Sequence, residues 1–364
     1  MRSDGAPGSG AAAAGGSVAN PTHVSGGARP QADLSPRESA DRHSSGLRQA
    51  AEWLALPSVR DPRWLIPRRS RALARAGLSV YHPVTLKARV GWEAARVLSS
   101  LGAFRLIPGR AAPGREVWDA VGPYMPAGGS VAIARATHIG RSVALILAPD
   151  GSPAALAKLA TDQEGRDALA REVKNLGRLG TLLSPPLSAP DILGSGDGLL
   201  VVRPVPWRAR WRSWRMPEDV AFALGAFFRA GSRVDVGGYT LGPSHGDVAP
   251  WNFLDTGGGW LLIDWENADE TRTPFYDLMH FFVESYSLLR RPSRRTLVSG
   301  LLGGRNWIGA AIAAYARGAG IPASETRPHF LAYLQDSLER VDPRGPAARR
   351  EVEARHQILH DLSR

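Results

Sequence analysis

Hydrophobic positions divide the chain into stretches of different period. Met1 to about Gly46 has none: it is Gly, Ala, Ser and Pro with scattered charges. Such a stretch cannot bury enough apolar surface to offset the entropy of ordering, so residues 1–46 should be a disordered tail. From Leu47 to about Arg110 apolar residues return among arginines. Trp53, Leu54 and Leu56 come first, Arg68-Arg69-Ser70-Arg71 follows, and Val90, Ala94, Val97, Leu98 and Leu101 recur at roughly helical spacing. The pattern predicts a basic helical extension over 47–127, separate from the unit that follows.

A different pattern begins near Ser130. Val131–Ala136, Ser142–Ala148 and Ala154–Ala160 are short apolar runs of strand length, and Asp150-Gly151 marks a hairpin. Arg166 to Leu179 changes to helical spacing, with Leu169, Val173, Leu176 and Leu179 on one face. Ile192-Leu193 and Leu199–Val202 then flank a glycine-rich turn, Gly194 to Gly198. Past Pro206 the chain reads as mostly helical, broken around residues 240–266. The expected architecture is α+β, with strands and one helix over 128–206 and a larger, mostly helical unit over 207–364.

Composition changes this picture in three ways. At 364 residues and 43% hydrophobic, the chain can build a sizeable core. It has no apolar run of the ~18 residues a membrane span needs, and no charged-then-apolar leader, so a cytoplasmic location is expected. The absence of cysteine excludes disulfides, thiolate metal sites and cysteine nucleophiles. The formal charge of +11 is carried almost wholly by arginine, the only lysines being Lys87, Lys158 and Lys174. A codon bias toward Ala, Gly, Arg and Pro accounts for this most simply. Its functional counterpart is attraction to an anionic partner: nucleotide, phospholipid, sugar phosphate or nucleic acid.

The break in the helical pattern holds the candidate chemistry. It reads Ser244-His245-Gly246-Asp247-Val248-Ala249-Pro250-Trp251-Asn252, and then Leu262-Ile263-Asp264-Trp265-Glu266. A carboxylate such as Asp247 can orient an attacking hydroxyl and take its proton. Asn252 presents a neutral oxygen and Asp264 a charged one, and hard cations such as Mg²⁺ prefer such ligands. Phosphoryl transfer needs this combination. The protein-kinase catalytic loop has the same Asp-to-Asn spacing, with an Arg where Gly246 stands here.

On these residues the chain resembles the aminoglycoside phosphotransferase and choline kinase-like family, clearly from about Ser130 to Tyr286 and more loosely beyond. The resemblance implies a bilobal protein-kinase-like fold, with a small antiparallel-sheet lobe and a larger, mostly helical one. It implies ATP (or GTP) with Mg²⁺, Asp247 and Asn252 as catalytic residues, and Asn252 and Asp264 as metal ligands. Lys158, on the third strand of the small lobe, would pair with Glu172 on the following helix and position the nucleotide phosphates. The other reading of these two is an edge-strand lysine and a helical glutamate, both in water. Gly140 would belong to the nucleotide loop, although Thr137 to Ser142 holds one glycine where protein kinases have three. Arg141 beside it could reach a phosphate, but a solvated hairpin arginine is the simpler account. Glu266 either reaches a second metal through water or caps its loop. His245 and Asp277 read as braces for the catalytic turn.

The resemblance thus implies a small-molecule kinase moving the γ-phosphoryl group to a hydroxyl. Residues 267–364 hold fourteen arginines against eleven Asp and Glu, which favours a neutral or anionic acceptor (a sugar, glycolipid or metabolite) over a polycation. Arg203 to Arg215 alternates Arg and Trp, a composition that suits a packed linker, contact with an anionic membrane or lipid-linked substrate, or a nucleic-acid backbone. No nucleic-acid module is present, so nucleic acid is not an expected partner. The alternative is a nucleotide-binding regulator or scaffold without catalysis. A protein kinase fits less well, because Gly246 replaces the Arg and Trp265-Glu266 follow Asp264.

Overall fold

The computed structural model describes residues 52–363, apart from 59, 61, 84, 108–110, 136–139, 209, 211, 236 and 341–345. The tail expected over 1–46 lies outside the described residues.

Seven strands form one antiparallel sheet. They are β1 (Trp53–Pro57), β2 (Pro62–Pro67), β3 (Ser130–Arg135), β4 (Arg141–Leu147), β5 (Pro153–Ala160), β7 (Ile192–Gly196) and β8 (Leu199–Val202), while β6 (Leu187–Ser188) pairs elsewhere. Their order is β1-β2-β3-β4-β5-β8-β7. Successive side chains of a strand point to opposite faces, and here both faces are covered. Trp53, Leu65, Val131, Ile133, Ala144 and Ile146 enter one core. Leu54, Ile66, Ala132, Leu145 and Leu147 enter the other. The strands are therefore apolar at consecutive positions and lack polar alternation.

The covering layers correct the reading of 47–127 as a separate helical extension. Trp53–Pro57 and Pro62–Pro67 are the two strands β1 and β2, and Trp64 and Leu65 pair with Ala134 and Ile133 of β3. Helix α1 (Arg71–Gly77) and helix α2 (Leu86–Ser100) cover one face through Leu73, Ala74 and Trp92. Helix α3 (Arg115–Val121) covers the other through Val117 and Val121. This region completes the small lobe. An apolar run as short as Trp53–Leu56 has no resolvable period, which is why its strand character is hidden.

Helix α4 (Gln163–Arg178) crosses from β5 and packs on it. Its first turn is capped by the Asp162 side chain, which accepts from the Gly165 amide at 2.7 Å. Beyond the linker at 203–217, the larger lobe is built on α5 (Glu218–Ala230), α6 (Tyr276–Leu289), α7 (Arg294–Leu301), α8 (Trp307–Ala319), α9 (Thr326–Arg340) and α10 (Pro346–Ser363). Two short sheets lie among these helices. β9 (Arg233–Val234), β10 (Thr240–Ser244) and β13 (Asp269–Arg272) make one; in the other, β12 (Trp260–Leu262) lies between β11 (Phe253–Asp255) and β6. The segment 245–252 leaves the end of β10 and enters β11, and Asp264 follows β12 by two residues. Strand ends therefore fix both halves of the motif. Among the described residues, no helix is long and apolar enough to cross a membrane.

Candidate active site

Lys158 stands mid-strand in β5, paired between Val143 and Leu200. Only 11% of its side chain is exposed. Its ammonium donates to Glu172 Oε1 of α4 at 2.6 Å and to Asp264 Oδ1 across the cleft. Burial opposes the charge on Lys158, but Asp264 and Glu172 outweigh it and hold the group well above its ordinary value. Burial pushes the Glu172 carboxyl up, and Lys158 offsets this only in part. At Asp264 burial also opposes ionisation, yet Lys158 and Arg141 keep the carboxyl below its usual range. The reading of Lys158 and Glu172 as solvent-facing groups is thus overturned: a charged amine on a covered strand needs such partners.

Asp264 adopts φ 67°, a left-handed conformation that residues other than glycine rarely take. Such strain is held in place by surrounding structure and concentrates at functional sites. Here it turns the carboxylate out of the β12 hairpin toward the small lobe.

Asp247 occupies the other side. Its Oδ2 accepts from Asn252 Nδ2 at 3.0 Å, and its backbone carbonyl accepts from the same nitrogen at 2.9 Å. The Asn252 carbonyl in turn accepts the Ile263 amide at 3.1 Å, which ties this loop to the strand that delivers Asp264. Asp277, in the first turn of α6, braces the loop from beneath. Its two oxygens accept from the Ser244 hydroxyl and the His245 amide, each at 2.8 Å, and from the Gly246 amide at 2.9 Å. His245 is fully buried, and its Nδ1 accepts the Asp247 amide at 3.3 Å. Burial lowers its basicity, as suits a neutral acceptor. Gly246 has φ 80°, and a side chain there would collide with the Asn267 carbonyl.

The lysine expected on the third strand of the small lobe lies on the fifth, because β1 and β2 precede it. It is paired to Glu172 of the next helix and to Asp264 of the helical lobe, whose preceding loop holds Asp247 and Asn252. The fold is protein-kinase-like.

No protein-family profile matches the sequence, and no curated protein matches it. Among solved structures, the chain is similar to a macrolide 2'-phosphotransferase from Brachybacterium faecium, at 16% identity, covering 67% of this chain and 97% of that one with a TM-score of 0.42. It is similar to a protein assigned as a fructosamine-3-kinase from Thermobifida fusca, at 16% identity over the same shares, with a TM-score of 0.43. A choline/ethanolamine kinase family protein from Mesorhizobium loti shares 15% identity over 63% of this chain and 87% of that one, with a TM-score of 0.33. Likeness at this level says nothing about what this chain acts on, and its own geometry must carry the reading.

Three features of this kinase-like cleft were not evident from sequence. Arg141 is not a solvated hairpin residue. It is buried, and its guanidinium makes a two-pronged pair with Glu266, one arm at 2.6 Å. The two partners are 125 residues apart and belong to different lobes, so no local pattern signals the contact. The pair also gives Glu266 a partner other than a second metal or a loop cap. Gly140 is accounted for by packing: it has φ 54°, and a side chain there would strike the Asp162 carboxylate that caps α4. The remainder of its turn, Thr137–Ile139, lies outside the described residues.

His280 is the residue that sequence reasoning missed. It lies one turn into α6, in an otherwise apolar run, and a lone histidine there reads as core. Its Nε2 is 3.0 Å from Asp247 Oδ1, and its Nδ1 is 3.1 Å from the Tyr333 hydroxyl of α9. Burial opposes its charge, but the hydrogen bond to Asp247 and the nearby Glu284 outweigh it and raise its basicity. Glu284 is itself paired with Arg355 of α10 at 2.9 Å. The spacing of Asp277 and His280, three residues apart at the start of one helix, was the available signal.

The donor set fits a hard divalent cation. Carboxylate oxygens of Glu172, Asp264 and Glu266 lie within 4.8 Å of one another. Glu172 Oε2 is buried with no hydrogen-bond partner. Asn252, whose nitrogen is committed to Asp247, keeps its oxygen as the atom to offer a cation.

Proposed function

We propose that this protein is a nucleoside-triphosphate-dependent phosphotransferase that moves the γ-phosphoryl group to a hydroxyl of a small molecule. The observation that carries the reading is the buried Lys158, bonded at once to Glu172 and Asp264 across a cleft from the His280-held Asp247. Such an arrangement has charge in place before any ligand arrives, and phosphoryl transfer is mostly positioning plus electrostatic stabilisation.

Asn252 and Asp264 are the residues to hold Mg²⁺, which when bound neutralises phosphate charge. Lys158 is the cation for the nucleotide phosphates, and Glu172 keeps it aimed. Asp247 orients the acceptor hydroxyl and receives its proton. Asn252 and His280 each hold one carboxylate oxygen, fixing which lone pairs face the acceptor. Asp277 keeps the turn rigid through three donors. ATP is the favoured donor, with GTP as its alternative, and the cytoplasm is the favoured location. The arginine excess over 267–364 favours a neutral or anionic acceptor over a polycation.

Phosphate transfer from γ-labelled ATP with Mg²⁺ to a panel of sugars, lipid-linked glycans, amino alcohols and aminoglycosides tests the reading. Transfer to one class should fall by roughly 10²–10⁴ in Asp247→Asn, with nucleotide binding kept. Equal turnover in that variant would remove Asp247 from the chemistry.

A further inference from the structure

Helix α2 is built inside out. Ala88, Trp92, Ala95 and Ser99 follow the spacing of its inner face, where the Trp92 indole donates to the Leu78 carbonyl at 2.7 Å and packs at steep angles against Trp64 and Tyr81. Val90, Ala94, Val97 and Leu101 follow the opposite stripe, at i, i+4, i+7 and i+11. That stripe faces solvent: Val90 is 63% exposed, Val97 58% and Leu101 70%, with Leu98 at 43% on its border and Leu106 just beyond the helix at 86%. Eleven large hydrophobic side chains are exposed among the described residues, and five of them lie between 90 and 106. Single exposed leucines are ordinary; a stripe along one helix is not.

The surroundings of the stripe are strongly basic. Residues 60–107 hold ten Arg and Lys against two Asp and Glu, so a net +8 of the chain's +11 lies in this short region. Arg69, Arg71 and Arg105 gather at the end of α2. Arg105 donates to the Arg69 carbonyl at 3.0 Å, and the Arg71 guanidinium lies against Gly102. All three are exposed, and none makes an ion pair among the described residues. The helix is also anchored from behind. The His82 ring lies 4.2 Å from Trp207, and Arg89 donates to Ser213 Oγ at 3.5 Å, both on the linker between the lobes.

We propose that the outer face of α2 docks on a phospholipid bilayer bearing anionic headgroups. Its aliphatic stripe would enter the interface while Arg69, Arg71 and Arg105 meet the headgroups. The charge chooses this occupant: an apolar helix face with Arg69, Arg71 and Arg105 at its end, none in an ion pair among the described residues, complements an acidic membrane. The inference moves the membrane contact away from the Arg/Trp segment at 203–215. There Arg210 is committed over the Trp260 ring at 4.3 Å and to the Arg215 carbonyl, and Trp214 packs against Trp307. It stands independently of the phosphotransfer reading.

Co-sedimentation of the full chain with vesicles tests it, using phosphatidylglycerol/phosphatidylcholine mixtures beside pure phosphatidylcholine. Two variants separate the contributions: Val97→Gln with Leu101→Gln, which changes no charge, and Arg69→Ala with Arg71→Ala and Arg105→Ala. Wild type should bind the anionic vesicles and bind pure phosphatidylcholine far more weakly. The glutamine pair should lose about tenfold or more in partitioning, and the arginine triple should lose severalfold with a flatter salt dependence. Thermal unfolding near that of wild type would show that both variants are folded. Failure to bind anionic vesicles, or equal binding by wild type and the glutamine pair, would overturn the proposal. So would a concentration-dependent dimer in light scattering that the glutamine pair abolishes without vesicle binding, since the stripe would then join two copies of this chain.

Discussion

The cleft and the outer face of α2 are both rich in charge, yet they treat it oppositely. In the cleft Lys158 and Arg141 are buried and each is bonded to carboxylates, two of them delivered from the other lobe. On α2 the aliphatic side chains are outside, and Arg69, Arg71 and Arg105 at its end have no acidic partner among the described residues. Pairing in the cleft fixes geometry, because removing either partner leaves an uncompensated charge away from water. Exposure on α2 leaves surface that folding does not use. The contrast separates what holds the molecule together from what is available to meet something else.

Substitutions can break that contrast. The largest effect on stability should come from Lys158→Met, which removes the ammonium that Glu172 and Asp264 share. A loss of about 3–5 kcal/mol in chemical denaturation is expected. Adding Glu172→Gln should restore part of it. Arg141→Met should cost somewhat less, about 2–3 kcal/mol, because Glu266 is 15% exposed and can turn to water. If Arg141→Met is neutral, the two lobes are not held by this pair.

His280 sharpens the comparison through pH. Its basicity in the folded chain lies above the ordinary value of 6.5. The stability its charge contributes is therefore fully present below about pH 6.5 and is lost as pH rises through the folded value. His280→Gln should cost about 1–2 kcal/mol near pH 6 and clearly less near pH 9, read from denaturation midpoints at both. An equal cost at both values would mean that the imidazole pairs with Asp247 only as a neutral group. The smallest effect belongs to α2: Val97→Gln with Leu101→Gln should change stability by no more than about 0.5 kcal/mol per site. A larger loss would show that the stripe is buried against something within the chain.

These same residues show what the linear sequence could disclose. Asp247, Asn252 and Asp264 are legible because one loop and one hairpin hold them within twenty residues, so their spacing and the family resemblance it carries point to one site. Lys158 and Glu172 are nearly as legible, since a strand and the next helix share one connection. Arg141 with Glu266 is not, because the contact crosses the cleft between distant segments. His280 hides because a largely apolar helix places its one histidine on the Asp247 carboxylate, and only the nearby Asp277 hints at it. Residues 53–67 hide for a different reason: strands buried on both faces lose the alternation that would reveal them. In α2 the periodicity was visible, but a period says only that one face differs from the other. Which face turns inward is decided by the sheet it packs on.

The central claim is that the charge-paired cleft is a site for a nucleoside triphosphate with Mg²⁺, and calorimetric titration tests it without knowledge of the acceptor. Wild type should bind a non-hydrolysable ATP analogue in a Mg²⁺-dependent manner, and Asp264→Asn should weaken that binding tenfold or more. Binding that is indifferent to both Mg²⁺ and Asp264, or no binding by wild type, would contradict the account.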